Sequence, residues 1–371
     1  MADFRFGHRI EGLRRQIGEG ETPVEALLVT DMENVRYLTG FTGSSGAAIF
    51  TGDKALFLTD GRYQLQSAQE VTGFERIIVP QGTRLEARAA EVLNEAGVGK
   101  VGFEGGHMNY NAYTGLRGKL AETIELIPRD DVVMGLRMIK DSTELAAIRD
   151  AVESADACFD FIRETVKVGM TEKELAWEIE VFLRKREGAA RLGFDSIIGC
   201  GPNSAMIHGR PTHRKIGESG GPELLLCDYG CEKDGYNSDI TRTFVIGGEP
   251  TDKHLKLYEA VKVAQQAALD AIKPGKIGKE IQQVAMDSLT ASGYGEYFVH
   301  GLGHGLGRLV HDHPAMSAVS EIVLREGMVL TVEPGAYIES FGGVRIEDDI
   351  LVTENGCEIL TKSTKELVVL P

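Results

Sequence analysis

The chain has 371 residues, 42% hydrophobic and 26% charged, which is ordinary for a soluble globular protein and long enough for two domains with sizeable cores. A net charge of −16 argues against nucleic acid or an anionic membrane as partner, since either calls for a basic face. Five cysteines, at 158, 200, 227, 231 and 357, are odd in number and scattered, which argues against a disulfide framework and for structural thiols in a reducing cytoplasm.

The amino-terminal stretch MADFRFGHRIEGLRRQ is charged throughout and has no apolar segment ahead of a cleavage site, so no signal peptide is expected, and no run is long enough to span a bilayer. Residues 1–135 alternate short apolar runs with turns: ALLVT (26–30), AAIFT (47–51), ALFLTD (55–60), RIIVP (76–80) and KVGFEG (100–105). Thr51-Gly52-Asp53-Lys54 reads as a hairpin turn between two of these strands, and LEARAAEVLNEAG (85–97) as a helix stopped by glycine. A small mixed α/β domain is expected here.

A second domain, residues 136–371, opens with a long helix in DSTELAAIRDAVESADACFDFIRETV. There Leu145, Ile148, Val152, Ala155, Phe159 and Ile162 recur at three and four to line one face, and Asp141 with Glu144 reads as its cap. Within this domain, residues 166–175 and 272–281 share Lys, Gly, Lys and Glu at matching places, 106 residues apart. Each is followed by a loop carrying histidine, a strand ending in a carboxylate, a turn, and a second strand with another carboxylate. The first half supplies His208, Asp228 in LLLCDYG and Asp239 in YNSDITRTFVI; the second supplies His304, Glu333 in MVLTVEPG and Glu347 in VRIEDDILVT. A duplicated half-domain with pseudo-twofold symmetry follows, its two units facing each other around a shared site.

Period-two alternation puts Leu224, Leu226 and Asp228 on one strand face, and likewise Asp239, Thr241 and Thr243; Val329, Thr331 and Glu333; and Arg345, Glu347 and Asp349. Acids are depleted in strands and costly to bury unless paired or bound to metal, so four converging carboxylates call for divalent cations. One imidazole with four carboxylates is an oxygen-rich donor set that suits manganese or cobalt, with iron or zinc possible. Two such ions would balance the four charges and acidify a bridging water into a nucleophile.

The segment HGLGHGLGRLVHDHP (300–314) gathers four of the nine histidines with four glycines. Its glycine spacing does not fit the dinucleotide fingerprint. Either it is a glycine-rich turn with surface histidines, or it lets the backbone pass close to a site that His300, His304 and His311 serve.

The run His300–Asp312, with Asp228-Tyr-Gly230, Gly235–Thr243, Glu333-Pro-Gly335 and Arg345-Ile-Glu347, resembles the pita-bread metallopeptidases. Within them it is similar to the proline-specific branch, the Xaa-Pro aminopeptidases and Xaa-Pro dipeptidases (prolidases). NVRYLTGFTGSSG with TDGRY resembles the creatinase-type N-terminal domain of the same enzymes, so the likeness spans nearly the whole chain. It implies an α/β (α+β) architecture: a creatinase-like domain followed by a pseudo-twofold pita-bread catalytic domain. Its metal ligands would be Asp228, Asp239, His304, Glu333 and Glu347, with Asp239 and Glu347 bridging two ions. It further implies that His208 lines the substrate pocket, that His300 and His311 flank the scissile bond, and that Tyr337 and Arg345 belong to a hydrogen-bond network beside the metals.

The expected reaction is attack of a metal-bridging hydroxide on the carbonyl before proline, with His311 polarising the oxygen and Glu333 carrying the proton to the leaving nitrogen. The expected substrates are peptides with proline in second position, and a cytoplasmic homodimer is implied. The short N-terminal domain and TGFTGSSG lean toward an Xaa-Pro aminopeptidase. The alternative is a prolidase, which needs a cation for the free carboxylate of its second residue; Arg62 and Arg210 are the candidates. Methionine aminopeptidase is disfavoured by the N-terminal domain and the histidine run, creatinase by the intact metal ligands, and a non-catalytic binding module by all five ligands being present.

Overall fold

A computed structural model describes residues 6–19 and 22–371; part of the amino-terminal segment read above as charged and leaderless lies outside the described residues. The chain divides into two compact units, one running to Arg137 and the other from Met138 to Pro371.

The first unit is built on strands β1 (Ala26–Val29), β2 (Ala47–Thr51), β3 (Ala55–Asp60), β4 (Glu75–Val79), β5 (Lys100–Phe103) and β6 (Glu125–Pro128). They lie in the order β4-β3-β2-β1-β5-β6, with β1, β5 and β6 mutually parallel and β2 antiparallel to both β1 and β3. The turn expected at Thr51–Lys54 joins β2 to β3, closed by Thr51 N–H donating to Lys54 O at 3.0 Å. All four residues of β1 are buried because both sheet faces are covered. Leu27 and Val29 join a core with Leu13 and Leu38, while Ala26 and Leu28 join another with Ala90 and Leu93. Those covering residues come from helices α1 (Gly7–Ile17), α2 (Met32–Thr39) and α4 (Leu85–Ala96); α3 (Gln64–Glu70), α5 (Tyr110–Arg117) and α6 (Asp131–Met138) complete the set. Strand β6 escaped the sequence reading. It is a four-residue edge strand ending in proline, too short and too exposed to carry a hydrophobic period.

The second unit starts with α7 (Ser142–Thr165), capped by the box anticipated from Asp141 and Glu144. Its face buries Ile148, Val152, Ala155, Phe159 and Ile162, with Leu145 half-buried in the first turn. After α8 (Glu172–Lys185) come β7 (Arg191–Leu192), β8 (Ile197–Cys200), β9 (Glu223–Tyr229), β10 (Cys231–Lys233), β11 (Tyr236–Asn237) and β12 (Ile240–Ile246). The second half repeats the pattern: α9 (Asp252–Ala271), α10 (Gly278–Ala291), β13 (Gly303–Gly305), β14 (Asp312–Met316), β15 (Val329–Val332), β16 (Gly335–Ile338), β17 (Gly342–Arg345), β18 (Asp348–Thr353) and β19 (Gly356–Ile359). Strand β20 (Val369–Leu370) closes the chain.

The duplication reaches into backbone detail. Gly169 and Gly275 occupy matching turns, both at positive φ (92° and 87°), where a side chain would be strained. The residues that open α8 and α10 make isolated bridges, Thr171 to Lys215 and Ile277 to Val323, at equivalent places.

The main sheets run β20-β12-β9-β8 and β14-β13-β15-β18-β19. Leu225, Cys227, Tyr229, Ile240 and Phe244 pack against α7 and α8, whereas Leu330, Val332, Ile350 and Val352 pack against α9 and α10. Each sheet thus turns one face to its own helix pair. The alternate residues, Asp228 and Thr241 in one half and Thr331 and Asp349 in the other, take the opposite face, and that face carries the polar groups.

Candidate metal centre and substrate cavity

Four carboxylates converge where these inward faces meet. Asp228 sits within β9, while Asp239, Glu333 and Glu347 occupy the first positions beyond β12, β15 and β18, where the ladder ends and a side chain can turn inward without losing a strand partner. One oxygen each from Asp239 and Glu347 and one ring nitrogen of His304 lie within 4.8 Å of one another. His304 Nε2 is 3.6 Å from Asp239 Oδ2 and 3.4 Å from Glu333 Oε1.

The ring orientation of His304 follows from its neighbour. Nδ1–H donates to Gly305 O at 3.0 Å, which leaves the Nε2 lone pair facing the acids. Burial holds this imidazole neutral, its pKa pushed down to about 4. Burial first, then the other carboxylates, raises Asp239 and Glu347 well above the usual carboxylate range, and burial pushes Glu333 up to about 8. Asp228 is raised by burial although Arg345 opposes the shift. Such a set cannot be fully ionised without positive charge among its members. Buried Oδ1 atoms of Asp228 and Asp239 have no hydrogen-bond partner, and lone pairs left open in this way fit a divalent cation.

Neighbouring groups fix the acids in place. Arg345 donates to Asp228 Oδ2 at 2.5 Å, to Thr241 Oγ1 at 3.0 Å and to the Tyr337 hydroxyl at 2.9 Å. Thr241 donates to Glu347 Oε2 at 2.6 Å, and Asp349 Oδ2 accepts from the backbone N–H of Asp239 at 3.0 Å. From the helix side, Arg242 donates to Glu347 O at 2.5 Å and pairs with buried Asp348 at 2.7 Å. Alternation placed Thr241 and Asp349 on the inward face without a role. Arg242 and Asp348 had no sequence signal at all, because they form a long-range ion pair on the outward face.

A cavity of about 250 Å³ opens onto the cluster, lined by Asp228, Asp239, Glu333, Arg345 and Glu347, by His208, Gly209 and Arg210, and by Phe194–Ile197, Val310 and His311. His208 and His311 therefore reach the cavity together. The ring of His311 lies 4.3 Å from that of His304, and burial lowers its pKa.

His300 and Tyr337 sit differently: neither lines this cavity. Arg345 can only donate, so the Tyr337 hydroxyl accepts from it and donates in turn to His300 Nε2 at 2.9 Å, while His300 Nδ1–H donates to Gly301 O at 2.7 Å. Both ring nitrogens of His300 are thereby engaged by the protein, and burial keeps the ring neutral, its pKa pushed down to about 4. His313 is an exposed residue of β14. The glycines serve strand packing: a Cβ on Gly303 would collide with Thr331 O, and one on Gly305 with His313 O, the backbones on either side of β13. Of the two clamp candidates, Arg62 is held in a two-pronged pair with Asp60, whereas Arg210 lines the cavity.

The five cysteines are unpaired, and no helix among the described residues is long and apolar enough to cross a membrane. Residues 146–354 match metallopeptidase family M24, and residues 9–139 match the Creatinase/Prolidase N-terminal domain. The chain is 37% identical to an Xaa-Pro dipeptidase of Pyrococcus furiosus, over 94% of this chain and 96% of that one. It superimposes on the solved Xaa-Pro dipeptidase from Bacillus anthracis with a TM-score of 0.91 at 37% identity, covering 99% of this chain and 100% of that one. With the solved X-Pro aminopeptidase from Thermotoga maritima the TM-score is 0.85 at 34% identity, covering 96% and 99%. The chain belongs to metallopeptidase family M24, a hydrolase in which a Creatinase/Prolidase N-terminal domain precedes a catalytic domain of the pita-bread fold.

Proposed function

We propose that this enzyme is an Xaa-Pro dipeptidase, cleaving the bond before the proline of a free dipeptide. The reading rests on one observation above the others: four carboxylates line a single small cavity, and the neutral imidazole of His304 lies against three of them. Its narrowing to dipeptides is supported by the relatives from Pyrococcus furiosus and Bacillus anthracis, both named Xaa-Pro dipeptidases. The lean toward an aminopeptidase drawn from TGFTGSSG gives way to its alternative. An Xaa-Pro aminopeptidase stays as the second reading because of the Thermotoga maritima structure.

In this reading Asp228, Asp239, His304, Glu333 and Glu347 hold two divalent cations, manganese or cobalt ahead of zinc or iron. Bound there, the cations supply Lewis acidity toward the substrate carbonyl and an acidified water. The side chains do the remaining work. Glu333 carries the proton from water to the proline nitrogen, a tertiary amide nitrogen that has no hydrogen of its own and must gain one to leave. His311 donates to the oxygen that becomes negative. Phe194, Ile197 and Val310 give the cavity an apolar wall suited to the proline ring. Arg345 and Thr241 hold Asp228 and Glu347 in place, and His300 with Tyr337 backs Arg345 rather than touching substrate. A cytoplasmic homodimer belongs to the same reading, which size-exclusion chromatography with light scattering would test.

The deciding assay measures proline or alanine release by the manganese-loaded protein from Ala-Pro, Ala-Pro-Ala and Ala-Ala-Ala. Cleavage of Ala-Pro alone supports the dipeptidase. Cleavage of Ala-Pro-Ala would make the chain an aminopeptidase, and cleavage of none of the three would overturn the proline assignment.

A further inference from the structure

We infer that Arg210 recognises the free carboxylate of the dipeptide's second residue, and that Glu172 holds the loop presenting it. The inference rests on the dipeptidase reading and adds to it the residue that sets substrate length.

A dipeptide brings a carboxylate into a cavity already lined by Asp228, Asp239, Glu333, Glu347 and Asp195. Recognition there needs a cation. Among the described residues lining the cavity, only Arg210 and Arg345 carry a fixed positive charge, and Arg345 is 2% exposed and committed to Asp228, Thr241 and Tyr337. Arg210 is exposed, and among the described residues no carboxylate lies within ion-pairing distance of it. Its planar fork can take a carboxylate by two parallel hydrogen bonds.

An exposed arginine on a loose loop would lose much of this advantage to the entropy of ordering. The segment carrying Arg210 is tied at both ends to one buried carboxylate. Glu172, fully buried in the first turn of α8, accepts from Cys200 N–H at 2.9 Å and Asn203 Nδ2 at 3.0 Å on one side. On the other it accepts from Thr212 N–H at 2.9 Å and Thr212 Oγ1 at 2.6 Å. Between the anchors, Arg345 donates to Ile207 O at 3.3 Å and Gly343 N–H to Ser204 Oγ at 2.9 Å, so the loop is also fastened to the metal-side strand β17. Glu172 is thus a positioning residue and Arg210 the contact.

The test compares kcat and KM on Ala-Pro and on its amide, Ala-Pro-NH2, for the full-length protein and its Arg210→Ala and Arg210→Lys variants, with metal content measured in each. Wild type is expected to prefer Ala-Pro. Arg210→Ala is expected to raise KM for Ala-Pro about ten- to hundredfold, the loss of a charge-assisted contact, while leaving the amide and the metal content unchanged. Arg210→Lys, which keeps charge but loses the fork, recovers part of the loss. If wild type prefers Ala-Pro and Arg210→Ala keeps that preference, Arg210 is not the clamp and the dipeptidase reading survives. If wild type itself treats acid and amide alike, the dipeptidase reading fails and the clamp with it.

Discussion

Arg345 donates to Asp228 across 2.5 Å, and both side chains are almost wholly shielded from water. A buried guanidinium beside a carboxylate that also faces three other acids sets how much negative charge Asp228 can hold at the cation site. Replacing Arg345 with Ala leaves that carboxylate uncompensated. With Asp228 as a metal ligand in the proposed reading, activity is expected to fall about a hundredfold, the cost typical of losing an outer partner, and stability by about 3 kcal/mol. Steady-state kinetics and urea unfolding of the purified variant check both numbers.

Asp239 shares its cluster with His304 and Glu347, so Asp239→Asn removes one charge and one donor oxygen from the group that best fits a cation. Loss of bound divalent metal, read by elemental analysis, should accompany loss of peptidase activity. A fully loaded, active variant would refute the ligand assignment.

Metal removal should create a pH-dependent weakness. Without cations, Asp239, Glu333 and Glu347 have folded-state pKa values above their ordinary ones, Glu333 near 8. Between the ordinary and the raised values the folded chain therefore binds more protons than the unfolded chain, so stability is present at low pH and is lost as pH rises. The melting temperature of chelator-treated protein is expected to fall from pH 5 to pH 9. Added manganese or cobalt should raise it most at the upper end, a trend thermal scans across that range would reveal or contradict.

Glycines of β13 should tolerate no side chain. Gly303→Ala and Gly305→Ala press a methyl into the backbones of Thr331 and His313, and each is expected to cost about 3 kcal/mol or prevent folding. In Gly307→Ala the nearest atom belongs to the Asp312 side chain at 2.9 Å, which can give way, so a smaller loss is expected. Equal losses in all three variants would mean that strand packing is not the reason for the glycines.

Thr212→Val keeps the backbone N–H that reaches Glu172 but removes the hydroxyl that reaches it at 2.6 Å. KM for Ala-Pro is expected to rise several-fold with kcat and metal content unchanged. A change in kcat alone would argue that Glu172 serves the metal strands and not the loop.

Much of this protein could be read along the chain. Alternation in LLLCDYG and VRIEDDILVT assigned the acids to one strand face because side-chain direction in a strand is a local, period-two property. The 106-residue repeat of the Lys-Gly-Lys-Glu signature foretold two halves that share turn and bridge geometry. Other features depended on hydrogen bonds that only the folded chain fixes. His300 looked equivalent to His311, yet Tyr337 and Gly301 occupy both its ring nitrogens. Arg62 and Arg210 looked equivalent as clamps until Asp60 was found to hold one of them.

The sequence by itself determined the order of the candidate donors along the chain and the two-unit, duplicated plan, because composition and periodicity are written locally. Only the tertiary structure decided which donors remain open: the unpartnered oxygens of Asp228 and Asp239, the lone pair of His304 and the fork of Arg210. A polar group is available for chemistry only when no neighbour has satisfied it, and the folded chain sets those neighbours: Arg345, distant in sequence, takes one oxygen of Asp228 and leaves the other open.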